Sequence, residues 1–181
     1  VRSSLNDQPG TMVTEEHEAM EKTVIRGVSI ERSQARVTIT GIPDEPGMSA
    51  RILGALAEQE VNIDMIVSNI AHDGFARHSF TMHSDDLGRA QAALKRVLAE
   101  ISSEAALETE AGIGKLSVVG IGMRSHSGVA AQMFQALGDA GINIGMISTS
   151  EIKISVTVDE TQIEDAARVV HSSFALEKAP A

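Results

Sequence analysis

The chain has 181 residues, 43% of them hydrophobic, with 25 acidic against 15 basic side chains and a formal net charge of −10. That balance argues against nucleic acid or an anionic membrane as a partner, because phosphate binding needs clustered Lys and Arg, and the absence of Cys excludes disulfides, thiolate metal sites and cysteine nucleophiles. No apolar run reaches the roughly 18 residues that span a bilayer and no secretory h-region is present, so a cytoplasmic, soluble protein is expected.

Residues 1–22 are polar, with a turn signal at Asp7-Gln8-Pro9-Gly10 and an acidic run of Glu15, Glu16, Glu18 and Glu21, and read as a connector. Val24–Ile30 is a short strand candidate, and Val37–Ile42 alternates as a half-buried strand should. Pro43 and Pro46-Gly47 break it; Ser49 is a candidate N-cap for a helix carrying Ile52, Ala55 and Leu56. Ile63–Ile70 and Phe75–His83 read as strands around a hairpin turn at His72-Asp73-Gly74. Ala90, Leu94, Val97, Leu98 and Ile101 form a helical stripe opening near Ser84. Ala105–Ala111 and Leu116–Ile121 are strand candidates, and a helix through Val129, Met133 and Leu137 stops at Gly141, a C-cap signal. Ile142–Ser150 and Ile152–Val158 are paired strands, followed by a helix through Ile163, Ala166, Val170 and Phe174.

The chain repeats itself. Gly47 and Gly128, like Met65 and Met146, stand 81 residues apart, and Val61-Asn62-Ile63-Asp64-Met65 returns as Ile142-Asn143-Ile144-Gly145-Met146. One supersecondary unit used twice predicts two small domains with pseudo-symmetric pockets. Each would be a marginal core alone, so they should pack on each other or on a second chain. The order β-α-β-β-α, twice, predicts an α+β chain of two ferredoxin-like βαββαβ domains. No strand candidate follows Phe174, so the N-terminal strand is expected to complete the second domain. The boundaries are then 33–112 for the first domain, 23–32 plus 113–176 for the second, and 177–181 for a tail.

A strand, a Pro-Gly turn, a helix and a Val/Ile-Asn-Ile strand start resemble the ACT domain, an amino-acid-binding regulatory module. Asp44-Glu45-Pro46-Gly47, Val61–Met65, the stretch Gly122–Val129 and above all Ile147–Ile152 resemble the tandem ACT region of the aspartokinase family. The likeness covers essentially the whole chain. It implies that residues 1–22 link to a kinase domain absent from this chain, where ATP would bind, and that no cofactor binds here. It implies a homodimer through the ACT domains, a catalytic domain or α subunit as partner, and lysine, threonine or both as feedback effectors.

A free amino acid needs an anion for its ammonium, donors for its carboxylate and a size-limited pocket. The turn Asp44–Gly47 leads into a helix N-terminus, where free N–H groups favour a carboxylate. Gly47 and Gly128 permit close backbone approach, Asp44 and Asp64 can receive an ammonium, and Asn62 and Asn143 offer amides. A turn-to-strand cap competes as the role of both asparagines, and a solvated turn carboxylate competes for Asp44. The resemblance adds Ser150 and Glu151 to Asp44 and Asp64 at one pocket, and Asn143 and Ile144 with Ser68 and Asn69 at the other, each formed across a dimer. It also implicates Ser49, Ile63 and Met123. Ser68 stands where Gln is common in the family, Gly145 where an acid is common, and Ser127 where Pro is usual. The first two weaken the expectation of a threonine-type pocket.

His72, His78 and His83 read as exposed strand histidines rather than a metal site. Gly120-Ile121-Gly122 lacks the rest of a dinucleotide fingerprint. Met65, Met82, Met133 and Met146 read as core filler. The strands lack the aromatic residues of a ferredoxin-like RNA binder. The rival functional reading is an ACT pair that serves only as a dimerisation element.

Overall fold

β-branched residues recur from Ile25 to Pro43, and the computed structural model makes the whole stretch one strand, β1 (Ile25–Pro43). The structure describes residues 25–70, 74–120 and 128–176. After β1 come α1 (Met48–Ala57), β2 (Ile63–Ile70), β3 (Phe75–His83), α2 (Leu87–Ile101), β4 (Ala106–Gly120), α3 (Val129–Asp139), β5 (Ile147–Thr149), β6 (Lys153–Asp159) and α4 (Ile163–Ser173). Short 3-10 turns, Ser84–Asp86 and Glu160–Gln162, lead into α2 and α4. None of the described helices is long and apolar enough to cross a membrane.

All pairings are antiparallel, and the sheet order is β2-β3-β1-β4-β6-β5. The 19 residues of β1 would span about 60 Å if straight, too long for one small unit. The strand is divided instead. Its first half pairs with the second half of β4 (Glu31 opposite Lys115), and its second half with the first half of β4 and with β3 (Val37 opposite Thr109 and Phe80). The N-terminal strand thus completes the second βαββαβ unit, and β4 closes the first unit and opens the second.

Two expectations need correcting here. Val24–Ile30 and Val37–Ile42 are not separate strands over their described residues, and neither are Ala105–Ala111 and Leu116–Gly120. The ladder slips register between Glu31 and Gln34 and again before Ala35, with Ser33 at φ 55° and Gly112 at φ 74°, so both strands bend without breaking. Such bulges sharpen the local twist while keeping the ladder going.

Each unit has its own core. Val37, Ile39, Ile52, Leu56, Phe80, Met82 and Leu94 pack in the first, and Leu116, Val118, Met133, Leu137, Val156, Ile163 and Val170 in the second. Each such side chain contributes about 1.5–3 kcal/mol on burial. All four methionines read as filler are buried. The opposite face of the sheet is polar yet also covered, and its hydroxyls pair at matched positions: Thr38 with Ser79 at 3.0 Å, and Ser117 with Ser155 at 2.8 Å.

Ser49 does not cap α1. Gly47 holds the N-cap position at φ 93°. Ser49 already lies inside the first turn, so its hydroxyl turns to His78 instead. At the other end of the matched helices Gly141 is left-handed at φ 70°, as its C-cap reading requires, and Glu60 takes the same conformation at φ 54°. β5 is shorter than expected. The regular ladder begins at Ile147; just ahead of it the Gly145 amide and the Met146 carbonyl both bond the backbone of Thr157, at 2.8 and 3.0 Å, and the Met146 amide donates to the Thr157 hydroxyl, 2.7 Å away.

Candidate functional site

The first unit's site begins where β1 ends. The turn 44–47 is pinned by the Asp44 amide, which donates to the Gly74 carbonyl at 3.0 Å. A Cβ on Gly47 would meet nothing within 4 Å, so its φ rather than the space demands glycine. No side chain caps α1, which leaves first-turn N–H groups for an external acceptor. Asp44 and Asn62 are exposed and Ile63 is half-buried.

His78 departs from its sequence reading: it is buried, 8% exposed, rather than an exposed strand histidine. The pairing of β1 with β3 sets it opposite Ile39, on the helix-facing side of the sheet. Its Nε2 lies 3.2 Å from the Ser49 hydroxyl on α1 and its Nδ1 2.8 Å from the Ser68 hydroxyl on β2. Two expected site residues are therefore brought together by a third that was not expected. Burial pushes the imidazole pKa down, and a hydrogen bond with the Arg77 backbone partly opposes this. His83 is half-exposed beside Asp85, and His72 lies outside the described residues.

Asp64 is not free. Its carboxylate pairs with the Lys115 ammonium of β4, which also contacts Glu31 of β1 at 2.7 Å. Burial alone would lower the Lys115 pKa, but hydrogen bonds and charge from Asp64 and Glu31 outweigh it and hold the pKa above the ordinary value. The sequence signal for Lys115 is slight: a lone cation in the otherwise apolar and small run Ile113–Val119.

In the second unit Gly128, at φ 126°, opens α3, again without a side-chain cap. Asn143 is exposed and lines a cavity of about 350 Å³ with Arg36, Glu110, Gly112 and Gln162. Ile144 packs against the second core. Asn69 lies elsewhere, in a cavity of about 430 Å³ with Arg36, Arg77, Glu108, Gly145 and Ile147. One chain thus separates Asn69 from Asn143, although Arg36, which sequence reasoning missed, reaches both cavities. A Cβ on Gly145 would fall 2.6 Å from the Thr157 hydroxyl, so an acid at this position would require the Thr157 side chain to shift. The Ser150 amide donates to the Lys153 carbonyl at 2.7 Å, and Glu151 is exposed at the β5–β6 turn. β5 and β2 stand at the two ends of the sheet order. Met123 lies outside the described residues.

A sequence profile of the ACT domain matches residues 35–101, and a second ACT-domain profile matches residues 116–174. An aspartate kinase of Stutzerimonas stutzeri is 45% identical over 182 residues, and an aspartokinase of Pseudomonas aeruginosa 45% identical over 183. All of this chain is covered in both comparisons, but it spans only 44% of the length of each of these curated relatives. Among solved structures, the ligand-free regulatory subunit of aspartate kinase from Thermus thermophilus is 40% identical with a TM-score of 0.76, over 83% of this chain and 99% of that one. A chain from a structure of aspartokinase alpha and beta subunits is 41% identical with a TM-score of 0.77, over 84% and 99%.

Proposed function

The chain belongs to the aspartokinase family, of which it is a tandem ACT regulatory region, and from that premise we propose that it binds a small amino acid and relays its presence to a kinase domain. The effector is lysine, threonine or both, and the relayed signal is feedback inhibition of the phosphorylation of aspartate's side-chain carboxylate. The chain works in the cytoplasm as a homodimer, joined to a catalytic domain or α subunit.

One observation carries the reading: the same receptor is built twice. Each unit opens a helix at a positive-φ glycine without a side-chain cap, and follows it with an asparagine, Asn62 or Asn143, at the approach to the next strand. Uncapped N–H groups and the helix dipole favour a carboxylate. In the first unit the carboxylates of Asp44 and Asp64 lie on either side of that helix in the chain and suit an ammonium. Ser150 and Glu151 follow β5, at the other end of the sheet order from β2, and completion of the pocket is assigned to a second chain. Effector binding would then favour one packing of the dimer, with a coupling of about 1–3 kcal/mol.

A second reading, the ACT pair as a dimerisation element only, draws on the exposed Ile66 and Ile147 of these two strands, β2 and β5. A thermal-shift series with the protein amino acids, singly and as lysine plus threonine, separates the two. Ligand at about 100 times its dissociation constant adds about 2.7 kcal/mol, or about 5–10 °C in the midpoint for a chain of this size. A shift confined to lysine or threonine supports the sensor. A flat response across the set supports the dimerisation element.

A further inference from the structure

Among the described residues, Lys115 is the only buried side chain that is charged at neutral pH, with 3% exposure. A buried ammonium costs several kcal/mol unless it is paired, and its two partners come from different parts of the fold. Glu31 lies on the half of β1 that serves the second unit, beside Lys115 itself, and Asp64 lies on β2 at the edge of the first unit. The Asp64 pair is therefore a polar tie between the two units.

Two further features matter. The cluster of one cation and two carboxylates carries an excess negative charge. Its carboxylates also remain reachable, with the Asp64 side chain 35% exposed and that of Glu31 48%, while the lysine is covered. A carboxylate has about four acceptor positions, and one ammonium does not fill them. A second ammonium arriving from solvent meets an acceptor already held from inside.

We propose that Lys115 is a built-in competitor for the Asp64 carboxylate, an internal ammonium against which an amine-bearing ligand must draw that carboxylate outward. The ligand class is a cationic amino acid, whose charge offsets the excess negative charge of the cluster. Drawing Asp64 outward leaves Lys115 to Glu31 alone and loosens the tie between the units, so ligand occupancy registers at their junction. Lys115 thus sets the affinity of the subsite without contacting the ligand. The proposal rests on the reading of Asp64 as a ligand-binding residue.

The test is calorimetric titration of the 181-residue chain with L-lysine as the probe, for wild type, Lys115→Met, Glu31→Gln and Asp64→Asn. Lys115→Met removes the competitor and is expected to tighten L-lysine binding by about five- to tenfold. Glu31→Gln throws the internal ammonium wholly onto Asp64 and is expected to weaken binding by about two- to fivefold. Because Glu31 is half-exposed, this variant stays informative even if Lys115→Met fails to fold. Loss of binding in Asp64→Asn, with unchanged or weaker binding in Lys115→Met or with Glu31→Gln equal to wild type, overturns the competitor role alone. No binding by wild type, or full binding by Asp64→Asn, overturns the reading of the site and the competitor with it.

Discussion

His78 is bracketed by two hydroxyls from two elements, so one ring nitrogen of the neutral imidazole donates while the other accepts. Burial holds its pKa below the ordinary 6.5. Between the two pKa values the unfolded chain binds more protons than the folded one, so stability rises with pH there. The contribution is complete above about pH 6.5 and is lost as pH falls toward the folded-state value. Urea midpoints at pH 7.5 and 5.5 should therefore differ in wild type, with the lower value at pH 5.5. His78→Asn should narrow that difference while costing about 1–3 kcal/mol at pH 7.5 for the hydroxyls it unpairs. An undiminished difference in the variant would assign the pH dependence to other groups. A single residue also shows why cap signals differ in legibility. Gly141 advertises its left-handed conformation, whereas Glu60 adopts the same one, at φ 54°, with nothing in its side chain to announce it.

At the scale of elements, both edge strands use one device. The Met65 amide donates to the Thr81 hydroxyl at 3.1 Å, and the Met146 amide to the Thr157 hydroxyl at 2.7 Å, with both threonines buried. Thr81→Val and Thr157→Val keep the shape and strand a buried N–H, so each should lower unfolding free energy by about 1–3 kcal/mol in denaturant titrations. A negligible loss in either would show that water satisfies the amide. The helical stripes and the alternating strands are local patterns, and they place α1 through α4, β2, β3 and β6 nearly where they lie. The shortness of β5 reflects an irregularity in which Gly145 and Met146 share one backbone partner, Thr157, on another strand. The fusion of strand pairs into β1 and β4 depends on a bend through Glu31–Gln34, whose polar residues look like a turn. The site was legible to the same degree. Turn, helix start and asparagines follow from neighbouring residues, but the Lys115 partner of Asp64 stands 51 residues away, and His78 is buried only because α1 lies over it.

In the whole molecule the sheet order ends on β2 and β5, which approach each other within the chain and line one cavity but do not pair. Each carries an exposed isoleucine at a matched position, Ile66 at 52% and Ile147 at 45%. Unpaired edges of this kind are templates for another strand, and the related positions suit a two-fold pairing of β2 with β5 of a second copy. Sedimentation equilibrium should therefore give a dimer for wild type and a monomer for the double variant Ile66→Lys, Ile147→Lys, since edge lysines block strand addition. The melting midpoint should rise with protein concentration in wild type only. Identical masses for the two proteins would overturn this pairing. The shared strands carry a different consequence, for ancestry and for dissection. Neither copy of the repeat owns all its strands, because β1 and β4 each run through both. Cutting the chain between the copies would leave each fragment missing a stretch of backbone that its neighbour had lent it. Whatever duplication produced the repeat, its products have since become mutual tenants, obliged to melt, refold and diverge together.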